Sequence, residues 1–113
     1  MKLAILAALS LMLVTTSAIA AERESLGAGA HAAKTMVCLA NQYCSLGVNV
    51  KGAGDNVAAG VVINGTQVAF TAQSDDGAMV SIHNTSKLPK VIVVVLENRS
   101  TNNYSVVWDS FKK

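Results

Sequence analysis

The sequence predicts an all-β protein, a small antiparallel β-sandwich of about six to seven strands. Three observations carry this prediction: stretches in which apolar and polar residues alternate, turn-forming Asn, Gly, Asp and Ser between those stretches, and no sustained helical periodicity after Cys44. Short strands about ten residues apart, joined by turns, are typical of sandwiches and small barrels.

The N-terminus predicts a secretory signal peptide over residues 1–20. Lys2 precedes an apolar run, and Ala18-Ile19-Ala20 has the small-x-small pattern of a cleavage site. Cleavage leaves residues 21–113, which have the ordinary composition of a soluble globular domain and no transmembrane segment. We therefore expect a secreted or periplasmic protein with an irregular, flexible or short-helical arm over 21–34 and one β domain over 35–113.

The two cysteines, Cys38 and Cys44, predict a structural disulfide. An exported chain meets an oxidising compartment, where cysteine pairs oxidise. A disulfide needs Cα atoms within about 7 Å, whereas six steps along a strand span about 20 Å. The residues between the cysteines must therefore turn back as a tight loop. Free thiols are one alternative, and a redox-active pair is another, which the absence of C-x-x-C spacing disfavours.

Two segments show the alternation of a strand with one buried face. Leu46, Val48 and Val50 alternate with smaller or polar residues after the cysteine loop, and Val80 and Ile82 point the same way in a later segment. These apolar residues are predicted to face the core.

Asn64-Gly65 is the strongest turn signal in the chain. This dipeptide suits the two positive-φ positions of a type I′ turn, so the flanking runs predict a hairpin. A two-residue loop sets the register and places one apolar set on the core face. The predicted pairs are Ile63 with Thr66, Val61 with Val68, and Ala59 with Phe70.

The last third of the chain predicts two strands. Residues 91–96, VIVVVL, are apolar without alternation, which predicts a strand covered on both faces at the centre of a sheet. After a polar turn, Tyr104, Val106 and Trp108 share one face of a final strand. This closing pattern resembles strand pairs of immunoglobulin-like sandwiches, which implies that fold class and no function. We predict core positions for Trp108 and Phe70.

Few residues in the sequence indicate catalysis, metal binding or cofactor binding. His31 and His83 lie outside any recognisable catalytic motif, Asp75-Asp76-Gly77 is typical of a turn, and no glycine-rich phosphate loop precedes a helix. We predict no catalytic residues, no metal site and no cofactor. The nearly balanced charge also predicts no nucleic-acid partner.

Four N-x-S/T sequences occur, at Asn64, Asn84, Asn98 and Asn103. Because Asn, Ser and Thr are common turn formers, we interpret them as turns. In a eukaryotic host they would be glycosylation sites.

The remaining function class is recognition of a protein or cell-surface partner. We predict an exported binding module, such as an inhibitor, an adhesin-like domain or an envelope accessory protein, and not an enzyme. The candidate contacts lie in the cysteine loop: Tyr43, Asn41 and Gln42. The alternatives are a self-assembling surface or fibre subunit and a carrier of a small ligand.

Overall fold

The protein is a sandwich of two antiparallel sheets, seen in a computed structural model that describes residues 20–74 and 76–113. The first sheet has the strand order β1-β9-β3-β7-β6, and the second has the order β2-β8-β4-β5. A short 3-10 turn lies at Gly54–Asn56. The strands are β1 Ala20–Leu26, β2 His31–Cys38, β3 Tyr43–Asn49, β4 Val57–Ile63, β5 Thr66–Val68, β6 Ala72–Ser74, β7 Gly77–His83, β8 Lys90–Asn98 and β9 Tyr104–Lys112.

The predicted sandwich class is confirmed, with more strands than expected in the described residues. The two closing strands, β8 and β9, lie in opposite sheets and form an arch across the sandwich rather than a hairpin. Among residues 20–74 and 76–113, no helix is long and apolar enough to cross a membrane. Apart from Ala20, which opens β1, the predicted signal peptide lies outside the described residues.

The expectation of an irregular or short-helical arm over 21–34 is wrong. Most of these residues belong to β1, which pairs with β9 along its whole length, and to the first half of β2. Sequence alternation missed β1 because two of its inward positions, Glu22 and Glu24, are charged and only Leu26 among the three is apolar. Glu24 accepts a hydrogen bond from the Trp108 indole, and Glu22 pairs with Lys34 across the side of the sandwich. Inward charges of this kind are typical of edge strands.

The predicted hairpin is confirmed around its turn. Asn64 and Gly65 both have positive φ, at 50° and 83°. Val61 pairs with Val68 and Ile63 with Thr66, as predicted. The third predicted pair does not form, because β5 ends at Val68 and the chain then leaves the second sheet.

The core lies between the sheets and contains the alternating residues that the sequence indicated. Leu46, Val48, Val50, Val80 and Trp108 are buried, while Phe70 and Ile82 are partly buried against them. These predicted core positions are confirmed.

The segment VIVVVL occupies an inner strand, as predicted, but only one of its faces is covered. Ile92, Val94 and Leu96 are buried, whereas Val91 and Val95 are 39% and 41% exposed. No layer covers the outer face of the second sheet in the part of the chain that the structure describes. The prediction of cover on both faces is therefore wrong.

Candidate functional site

The predicted disulfide joins the two sheets at one end of the sandwich. Cys38 ends β2 in the second sheet and Cys44 lies near the start of β3 in the first, with their Cα atoms 6.0 Å apart. Between them the chain turns back, and Asn41 has a positive φ of 65°. We call this end of the molecule the disulfide pole: loop 39–42 with Tyr43, turn 64–65, loop 84–89 and residues 112–113.

Asn84 holds the disulfide loop from the neighbouring loop. Its backbone N–H donates to the Gln42 carbonyl at 2.8 Å, and its carbonyl accepts from the Asn41 N–H at 2.6 Å. Its side-chain nitrogen donates to the carbonyls of Cys38 and Leu88, both at 2.9 Å. Because Asn84 is fully buried and its amide is satisfied, loops 39–42 and 84–89 form one connected unit.

The three predicted contact residues have different positions. Tyr43 is 54% exposed on the outer face of the first sheet. Asn41 is exposed at the tip of the loop. The Gln42 side chain turns back into the loop, where its oxygen accepts a hydrogen bond from the Leu39 N–H at 2.9 Å. The geometry therefore gives Tyr43 and Asn41 access to a partner and gives Gln42 a role in shaping the loop.

Tyr43 forms an aromatic surface with two residues of neighbouring strands. Its ring stacks on His83 with the ring centres 3.8 Å apart and the planes 10° apart. Beside the stack is a depression of about 310 Å³, which Phe111 also lines. Ser45 and Ser81 line it as well, and their hydroxyls hydrogen-bond at 2.8 Å. A rigid aromatic wall beside hydroxyl groups is suited to contact with another molecule.

Exposed apolar side chains concentrate at the disulfide pole. Leu88 is 72% exposed and Leu39 is 52% exposed. Val37 and Val91 are opposed across β2 and β8 at the same end and are also exposed. Of the exposed large apolar side chains in the described residues, only Met79 and Val95 lie away from this pole. Apolar exposure that concentrates in this way is typical of interaction sites.

The same pole carries a cluster of positive charge. Lys87, Lys90, Lys112 and Lys113 lie in or beside its loops. Within residues 20–74 and 76–113, no carboxylate lies within 4.0 Å of these ammonium groups. The positive charge of the pole is therefore available to a partner.

The opposite pole carries carboxylates together with Lys51 and Arg99. We define it as turn 27–30, the segment 50–56, Asp76 and turn 99–103. Glu97, at its edge, accepts a hydrogen bond from Arg99 at 3.0 Å and lies 3.5 Å from His31. The hydrogen bond from Arg99, followed by the positive charges of Arg99 and His31, lowers the pKa of Glu97.

Sequence reasoning missed Asn84, Leu88 and the lysine cluster. In the sequence Asn84 stands out only as part of an N-x-S sequence, and its position directly after a strand is the signal that points to it. Leu88 and the lysines are far from the cysteine loop in the sequence, so no local pattern joins them to Tyr43. Only the sheet topology brings them together.

The two histidines have different surroundings. His31 faces Glu97, and His83 stacks on Tyr43 and lines the same depression as Ser45 and Ser81. Across the described part of the chain, no group of three or more metal-binding side chains occurs.

Comparisons with known proteins place the chain by its fold. No protein-family model matches the sequence, and no curated protein matches it. The structure is similar to that of Aeromonas hydrophila PliG, a periplasmic lysozyme inhibitor of g-type lysozyme, with a TM-score of 0.54 and 16% identity. The likeness covers 84% of this chain and 86% of PliG. The two proteins share a fold.

Proposed function

We propose that the chain is an exported, non-catalytic inhibitor that binds a secreted or periplasmic enzyme through the disulfide pole. The observation that carries this proposal is the concentration of exposed apolar side chains and lysines at that pole. Aromatic anchors within a well-packed patch dominate the energy of most protein interfaces. The disulfide and the signal-peptide pattern support export.

The charge of the pole indicates an acidic partner surface. Lysines without nearby carboxylates attract negative charge and speed association with it. Enzymes that hydrolyse glycans place two carboxyl groups in the cleft that holds the sugar. Such a cleft complements a surface in which four lysines lie at the same end of the sandwich as Tyr43 and Leu88. The shared fold with PliG makes a g-type lysozyme the first enzyme to assay.

The test is inhibition of peptidoglycan lysis by a g-type lysozyme. We expect the exported protein to inhibit lysis at stoichiometric concentration, and Tyr43→Ala and Leu88→Ser to raise the inhibition constant at least about tenfold each, as for interface anchors. Val95→Ser, on the outer face of the second sheet, is the matched control and should leave inhibition unchanged. The proposal fails if the unaltered protein does not inhibit, or if the control loses as much inhibition as the two pole variants.

Self-assembly is a second candidate, favoured by the exposed valines on the outer face of the second sheet. One feature opposes strand-to-strand assembly at β2: Lys34 points inward on this edge strand, pairs with Glu22 and lies over the Trp108 ring. Sedimentation velocity at micromolar concentration separates the candidates. A single monomeric species supports the inhibitor proposal, and oligomers that Val95→Ser dissolves support assembly.

A further inference from the structure

The interior of the sandwich is open at one corner of the opposite pole. By strand register, Ala59 of β4 and Ala78 of β7 face the core: Ala59 opposes buried Leu96, and Ala78 opposes buried Val48. Ala59 is nevertheless exposed, and Ala78 is only half-buried. Solvent therefore reaches between the two sheets at this corner.

The topology explains the opening. β5 is only three residues long and pairs with the distal end of β4, at Val61–Ile63. Within residues 20–74 and 76–113, the first half of β4 therefore has β8 as its only strand neighbour. Alanine at both inward positions leaves the space between the sheets unfilled. The result is a crevice of about 520 Å³ whose lining is mixed: Val57, Phe70 and Leu96 form apolar parts of the wall, and Gln73 and Ser74 form polar parts.

Two carboxylates of the described residues lie at the crevice. Asp55 and Asp76 both line it. One oxygen of Asp76 accepts a long contact of 3.4 Å from the Gly54 N–H. Among the described residues, neither carboxylate has a cation within 4.0 Å. Their negative charge is available to a molecule that enters the crevice.

We propose that this crevice binds a small organic cation that has an apolar ring or short branched chain and a primary ammonium group. Its volume falls in the range of small-ligand sites, which combine apolar walls with a few polar groups that fix orientation. The apolar part lies between Ala59, Ala78 and Phe70, and the ammonium group pairs with Asp55 and Asp76. An anionic molecule of the same shape is repelled by these carboxylates.

This site is independent of the proposed inhibitor function. It lies at the opposite pole and uses none of the residues assigned to partner binding. The crevice also has a built-in reporter, because Val48 in its wall is directly opposed to Trp108, the single tryptophan of the chain.

The experiment uses phenethylamine as the probe, with 3-phenylpropionate and ethylamine as matched comparisons. Binding is followed by two-dimensional NMR on the exported protein, with Trp108 fluorescence as a second readout. We expect saturable shifts of the amide signals of Ala59, Gly77 and Ala78. Phenethylamine should bind at least about tenfold more tightly than either comparison, since one lacks the cation and the other lacks the ring.

Two pairs of variants locate the site. Ala59→Leu fills the crevice and should weaken phenethylamine binding at least about tenfold, whereas Ala33→Leu on the outer face of the second sheet should not change it. Asp55→Asn and Asp76→Asn should each weaken binding about threefold, and Asp109→Asn on the outer face of the first sheet should not. Thermal unfolding of each variant checks its fold.

Three results would overturn the proposal. The first is the absence of saturable shifts with phenethylamine. The second is equal binding of 3-phenylpropionate, which would remove the role of the carboxylates. The third is unchanged binding by a folded Ala59→Leu variant, which would place the probe elsewhere on the protein.

Discussion

Two buried asparagines make the same pattern of hydrogen bonds at opposite ends of the sandwich. Asn84 follows β7 and Asn98 ends β8, and each is fully buried. In both, the side-chain oxygen accepts hydrogen bonds from the backbone and hydroxyl of the serine two residues later. In both, the side-chain nitrogen donates to the carbonyl four residues later and to the backbone beside a second connection between the sheets, at Cys38 for Asn84 and at Gly27 for Asn98. The arches 84–89 and 99–103 are thus each closed by one Asn-x-Ser unit.

This arrangement explains two of the four N-x-S/T sequences. The nitrogen that a glycan would modify is the atom that donates the buried hydrogen bonds of Asn84 and Asn98. A glycan on either residue is incompatible with the folded arch. The interpretation of these sequences as turns is confirmed at these two positions.

We expect Asn98→Ala to reduce the free energy of unfolding by about 2 to 4 kcal/mol, because it leaves several buried backbone groups without partners. Asn103→Ala is the control. Asn103 is exposed and accepts one hydrogen bond, from the Ala28 N–H at 3.0 Å, so its loss should cost less than about 1 kcal/mol. Urea unfolding measures both values. Equal losses would contradict the role assigned to the buried amide.

Glu97 gives a prediction for pH. Because the folded state lowers its pKa, the ionised carboxylate stabilises the fold above the unfolded pKa, and this contribution is lost as the pH falls through the folded value. Arg99→Ala removes the hydrogen bond and the nearest charge and should raise the pKa of Glu97. The titration of the Glu97 carboxyl carbon by NMR measures this change, with Lys51→Ala as the control. An unchanged titration in Arg99→Ala would contradict the assigned cause.

At the scale of elements, the β4–β5 hairpin depends on backbone conformation at its turn. Gly65 has a φ of 83°, which side chains disfavour, so we expect Gly65→Ala to reduce the free energy of unfolding by about 1 kcal/mol. Gly60, in the same hairpin, is the matched control. A Cβ there would make an ordinary contact of 3.6 Å with Val95, so Gly60→Ala should be neutral or slightly stabilising. Urea unfolding that ranks the two variants in the opposite order would contradict this account.

The sequence predicted elements best where local chemistry and tertiary position agree. The Asn64-Gly65 turn and the alternation of β3 are local signals, and both match the structure. The prediction of two covered faces for β8 was wrong because its outward positions are also valines, so the sequence does not alternate although only one face is buried. The strand β1 was not predicted because this edge strand has glutamates at two inward positions.

The candidate site shows a similar limit. Tyr43 and the disulfide were found from the sequence because they lie within seven consecutive residues. Leu88 and Lys113 belong to the same surface only because β3 pairs with both β7 and β9. No single-sequence pattern reports such pairing, so the full surface required the fold.

At the scale of the whole molecule, positive charge concentrates at one end of the strands. The disulfide pole carries four lysines, whereas at the opposite pole Lys51 and Arg99 lie among Asp55, Asp76 and Glu97. A net charge of only +2 for the full sequence hides this concentration. The disulfide pole therefore presents a positive field to an approaching partner, and salt should slow the association.

The most direct test of the central claim compares charge reversal at the two ends of the molecule. Lys87→Glu with Lys113→Glu changes the disulfide pole, and Lys51→Glu with Arg23→Glu makes the same change in net charge away from it. The measurement is the rate constant of association with a g-type lysozyme at low salt. The account predicts at least about a tenfold decrease for the first pair and little change for the second. Equal decreases in the two pairs would contradict the assignment of the disulfide pole as the binding surface.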